Sequence, residues 1–139
     1  MVSPQSINEF VRTRAAGRCE YCILPEFAVE EQFHLDHIQA QQHRGPTVPE
    51  NLALACSKCN LYKGTNLAGI DPLTNSIVRL FHPRTDRWSD HFSWRYATLF
   101  GKTNIGRTTI VTLHINSPSY LMLRETLMIE GIFTIDEDS

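Results

Sequence analysis

The sequence predicts an α+β fold, on three observations. All four Cys stand as two Cys-x-x-Cys pairs, Cys19/Cys22 and Cys56/Cys59. Between the pairs lie two short runs with strand character, Phe33 to Ile38 and Asn51 to Cys56, separated by a polar loop. Outside the pairs, apolar residues recur with helical spacing.

Taken in order, Ser6 and Glu9 make a capping-box pair, Ile7, Phe10, Val11 and Arg14 share one face, and Gly17 is placed as a C-terminal stop. An N-terminal helix therefore delivers the chain to the first Cys pair. Glu26 to Glu31 reads as a turn or strand edge. Phe33, Leu35 and His37 then alternate with His34, Asp36 and Ile38, the period of a strand. Gln39 to Pro49, with Gly45-Pro46, reads as a loop. Asn51 to Cys56 is a second strand, and a two-turn helix from Lys58 or Asn60 to about Ala68 stops at Gly69.

The chain has 139 residues and a mass of 15.9 kDa, and we expect one domain over 1–139. With 42% hydrophobic and 20% charged residues and only seven Gly and seven Pro, it is not collagenous, coiled-coil or disordered. No run approaches the roughly 20 apolar residues of a membrane helix. Residues 1–10 lack the pattern of a secretory signal, so the expected setting is a reducing cytoplasm. The net charge is −2, but it is unevenly spread. Residues 36–110 carry nine basic and five acidic groups, whereas 111–139 carry one and five. A basic middle suits contact with phosphate.

Two Cys-x-x-Cys knuckles supply four thiolates for a closed, tetrahedral structural Zn²⁺ site. Two disulfides are the alternative, disfavoured by the short loops and by a reducing compartment. A thioredoxin-like role needs one pair beside a βαβ pattern, which is missing. The 33 residues between Cys22 and Cys56 exceed a zinc-ribbon spacing, so a further unit is built between the knuckles.

The run Gly-Arg-Cys19-Glu-Tyr-Cys22, then Leu-Asp36-His37-Ile, then Glu-Asn51-Leu-Ala-Leu-Ala-Cys56-Ser-Lys-Cys59-Asn60-Leu-Tyr-Lys63-Gly64 resembles the HNH endonuclease family in its four-cysteine form. The resemblance covers about residues 17–66 and implies a ββα-metal core, with residues 70–134 as a strand and helix extension packed on it. It makes His37 the general base that activates water against a phosphodiester, a task suited to neutral imidazole. It makes Asp36 and Asn60 ligands of a catalytic Mg²⁺ or Mn²⁺, for which hard oxygen donors are appropriate. Asn51 would pin the loop that orients His37. Asn60 stands where the family name expects His, so the motif is the HNN variant. Strand neighbours point to opposite faces, so Asp36 and His37 can serve one site only if the strand breaks at His37. The implied products carry 5′-phosphate and 3′-hydroxyl ends.

Lys58 and Lys63 are candidate phosphate contacts. Arg44, beside His43 and Gly45, is either a phosphate clamp or part of a solvated loop. His34 shares a strand face with Asp36 but is read as a hydrogen-bonded side chain rather than a ligand. The segment His82 to Arg95 interleaves Arg with Trp88, Phe92 and Trp94. We read the aromatics as a roof on the core and keep Arg84 and Arg87 as candidate backbone contacts. Thr108 to Ile115 is strand-like by propensity, but this half is similar to the extension of some bacterial family members, and a helix is expected. Ser117, Pro118, Leu121, Leu127, Met128 and Gly131 outline a final helix, and 135–139 an acidic frayed end. The resulting expectation is a metal-dependent nuclease acting on nucleic acid, DNA foremost, with dimerisation open. The alternative is a zinc-knuckle module that binds nucleic acid without cleaving it.

Overall fold

The computed structural model describes residues 4–134, and the acidic end at 135–139 lies outside them. Helix α1 spans Pro4–Arg14 and buries Val11 completely. Ser6 falls inside this helix rather than at its N-cap, because the helix already runs from Pro4. Past its end, Ala16 and Gly17 adopt positive φ, and the Gly17 amide closes the last turn on Arg12 O at 3.0 Å. The Arg12 guanidinium then ties α1 to the next segment through Glu26 and the Phe33 carbonyl. Glu26–Ala28 is a single 3₁₀ turn.

Strands β1 (His34–His37) and β2 (Leu52–Ala55) pair antiparallel, with His37 opposite Leu52 and His34 opposite Ala55. All four residues of β2 are buried. Complete burial of Leu52 and Leu54 stabilises the fold by about 1.5–3 kcal/mol each. The connection carries 3₁₀ turns at Gln41–His43 and Pro49–Asn51. Gly45 sits where its backbone presses on the Gln39 carbonyl, and a Cβ there would lie 1.7 Å from that oxygen.

Helix α2 (Ser57–Lys63) starts with the Cys56 sulfur accepting from the Cys59 amide, which completes a ββα unit. It ends earlier than the sequence suggests. Gly64, at φ 51°, caps it, and Ala68–Ile70 is strand β3, in which Gly69 pairs with Val78 of β4 (Ile77–Arg79). The turn between β3 and β4 is held by Asp71, which accepts from Leu73 N and Thr74 Oγ1 and is bridged to Arg107.

Short helix α3 (Trp88–His91) leads into the hairpin of β5 (Phe92–Arg95) and β6 (Thr98–Gly101). Helix α4 (Asn104–Thr112) forms despite its β-branched residues. Thr103 caps it by accepting from Gly106 N, and Thr109 bonds Ile105 O while receiving the Phe81 amide. Tertiary context here overrides propensity. Helix α5 spans Pro118–Ile129. The aromatics form a packed roof: Phe81, Phe92, Trp88 and Trp94 stack in sequence, with Trp94 closed by Phe133. No described helix is long and apolar enough to cross a membrane.

Candidate active site

The first knuckle is a tight turn in which Ile23 N returns to Cys19 O and Cys19 N to Leu24 O, with Ile23 at φ 67°. The second is the opening turn of α2. Together they bring all four Cys sulfurs within 4.8 Å of one another, buried and unoxidised. Cys22 and Cys56 sulfurs stand 3.7 Å apart. A tetrahedron with Zn–S bonds of about 2.3 Å needs sulfurs about 3.8 Å apart, so the donor set and spacing fit a structural Zn²⁺. In the thiols themselves, hydrogen bonds from the other three lower the proton affinity of Cys56, while Cys22 and Cys59 are pushed up.

The sequence places the final helix correctly, as α5, but does not show that it covers this centre. Tyr120 Oη donates to Cys56 Sγ at 3.4 Å. One turn further, Arg124 is 1% exposed, and it donates to Ala97 O, Ile115 O and Asn116 Oδ1. Burial lowers its proton affinity, and the sulfurs of Cys22, Cys59 and Cys56 oppose that shift. Only the i, i+4 spacing of Tyr120 and Arg124 on one face of the helix could have signalled it.

His37 is the last residue of β1, half-buried, with Nε2 at 2.9 Å from Thr47 Oγ1. The long loop that carries Thr47 is tied down by Asn51, whose Nδ2 donates to Gln39 O and Pro46 O and whose Oδ1 accepts from Gln39 N. Asn60, on α2, is half-buried, and its side-chain amide has no hydrogen-bond partner among the described residues.

Asp36 is turned inward. Its carboxylate is buried, accepts from Tyr21 Oη at 2.8 Å and pairs with Lys63 Nζ at 3.1 Å. Burial pushes its proton affinity up, against the pull of Lys63 and Tyr21. Both oxygens face partners inside the protein, Tyr21 and Lys63. Lys63 faces inward as well. Its ammonium is 2% exposed and is shared among Asp36, His37 O and Ile38 O, so it offers nothing to a phosphate.

Lys58 is likewise turned inward, onto Ser117 and Ser119 at the start of α5 and over the Tyr120 ring. Arg84 is paired to Glu20, and burial together with neighbouring Arg14 lowers it to about 10. Glu20 in turn accepts from Leu54 N, so Arg84 fastens the second half of the chain to the edge of β2. In this arrangement it is a structural clamp. Arg44 and Arg87 are the two candidate contacts whose side chains are exposed. Arg44 occupies the left-handed position that closes the 3₁₀ turn, next to the exposed His43. His34 lies exposed at the far end of β1, 3.5 Å from Ser57 Oγ.

Residues 19–66 match the family model of HNH endonucleases, a span that holds both knuckles, His37, Asn51 and Asn60. No curated protein and no solved structure matches the chain.

Proposed function

From an HNH domain at residues 19–66, we propose that the protein is an endonuclease that hydrolyses phosphodiester bonds of nucleic acid, DNA foremost, with His37 as general base. The observation that supports this best is the mounting of His37. It closes a strand, stays accessible, and has one ring nitrogen on Thr47 in a loop that Asn51 holds by three bonds. The tautomer that donates from Nε2 to Thr47 leaves Nδ1 with a lone pair to take a proton from water as its oxygen attacks phosphorus. Arg44 and Arg87 are the exposed cations that would hold flanking phosphates. A divalent ion, where nucleases use one, stabilises charge on the leaving oxygen. Asn60 would offer an oxygen for it, and no step is assigned to that ion.

A second reading, a zinc-knuckle module that binds nucleic acid without cleaving it, is favoured by the closed Asp36–Lys63 pair. A gel assay separates the two. Supercoiled plasmid, single-stranded DNA and RNA are incubated with wild type and His37→Ala, each with Mg²⁺, Mn²⁺ or EDTA. Cleavage by wild type that disappears in His37→Ala supports the nuclease. Equal mobility shifts without cleavage by both proteins support the binding module.

A further inference from the structure

Arg124 carries a positive charge into the core with no carboxylate facing it among the described residues; its donors reach two carbonyls and one amide oxygen, all neutral. Burying an uncompensated charge is among the most costly acts in a fold. The zinc centre has the opposite need, since one Zn²⁺ with four thiolates carries a net charge of about −2 in the same core. Tyr120, one turn before Arg124 on α5, already reaches that centre through Cys56 Sγ. Lys58, between Cys56 and Cys59, closes the arrangement from the other side by donating to Ser119 Oγ at 3.1 Å and lying 4.6 Å from the centre of the Tyr120 ring.

We propose that α5 supplies the outer shell of the zinc centre, with Tyr120 as hydrogen-bond donor to a zinc-bound thiolate and Arg124 as its counter-charge. Zinc binding and the docking of α5 are then one linked equilibrium. A thiolate that accepts a hydrogen bond donates less charge to the metal, and a fixed guanidinium offsets what remains. The docking of α5 adds free energy to metal binding, and the loaded centre adds the same free energy to docking. The proposal rests on the zinc reading of the four Cys and is independent of nuclease activity.

The test measures zinc affinity by competition with a chromogenic chelator, in the full-length chain, for wild type, Arg124→Met and Arg124→Lys. Arg124→Met weakens zinc binding by roughly 10-fold or more, as outer-shell losses do, while Arg124→Lys, which keeps the charge, loses much less. Tyr120→Phe, which removes one oxygen and leaves the packing intact, is loaded with Co²⁺. Its thiolate charge-transfer band moves to lower energy than in wild type. An unmoved band in Tyr120→Phe, or a zinc affinity of Arg124→Met within about twofold of wild type, overturns the proposal. Equal losses in Arg124→Lys and Arg124→Met overturn the counter-charge as well. Wild-type protein that retains no zinc would instead remove the zinc reading, a distinct result.

Discussion

Lys63 Nζ lies 3.1 Å from Asp36 Oδ2, with neither side chain more than 4% exposed. The pair joins α2 to β1, and the same ammonium also closes the carbonyls of His37 and Ile38, where the strand ends. Lys63→Met leaves a buried carboxylate without its counter-charge, held only by the Tyr21 hydroxyl, and destabilises the protein by about 3–5 kcal/mol. Adding Asp36→Asn removes that charge and restores part of the loss. Urea unfolding of the two single variants and the double variant checks this, and strictly additive losses would contradict it.

His37→Ala lowers cleavage by about 10²–10⁴-fold, the usual contribution of a positioned base, while leaving melting temperature and DNA mobility shift unchanged. Thr47→Val keeps the side-chain volume but removes the hydroxyl that holds the His37 ring, so it reduces turnover more than binding. Initial rates over a substrate series separate the two effects.

Asn51→Ala strands the Gln39 amide and the Gln39 and Pro46 carbonyls, and costs about 1–3 kcal/mol. Gly45→Ala forces the loop away from Gln39 O, because the added carbon has no room at 1.7 Å. Both variants lose cleavage while zinc content stays at the wild-type level, measured by metal analysis alongside the gel assay.

Asp71 is depressed to about 2, chiefly by the two bonds from Arg107. A carboxyl whose folded value lies below its unfolded value of about 3.9 stabilises the fold above that pH, and this contribution fades as pH falls toward 2. Asp71→Asn therefore flattens the acid limb of a stability-against-pH curve and lowers stability at neutral pH. A wild-type acid limb in the variant would contradict the assignment.

The features that could be read from the sequence are those set by local spacing. Cys19-x-x-Cys22 and Cys56-x-x-Cys59 pointed to one four-sulfur centre by their spacing, and the alternation around Leu35 marked that run as a strand. The course of α2 was less legible, because Gly64 and Gly69 are equivalent as stop signals until β3 finds its partner β4. Thr108–Ile115 was decided by contacts that Phe81 and Thr103 make from elsewhere in the chain. The inward turn of Asp36, Lys58, Lys63 and Arg84 depends on partners 15 to 64 residues away. Asp36 was marked by the family motif and the three cations by their charge, and only the packing gives each its partners inside the protein.

Arg84, Phe81 and Trp88 lie beyond residue 66, yet they reach back to Glu20 and Tyr21 inside the first knuckle: Arg84 by an ion pair, Phe81 edge-to-face with the Tyr21 ring, and Trp88 Nε1 by a 3.0 Å bond to Tyr21 O. The stretch that matches the family model is therefore shorter than the stretch these contacts hold together. Excised at 66, it would lose the cover over its first cysteine turn and the lock on its outer strand. Transplanting this site to another scaffold requires moving the extension with it.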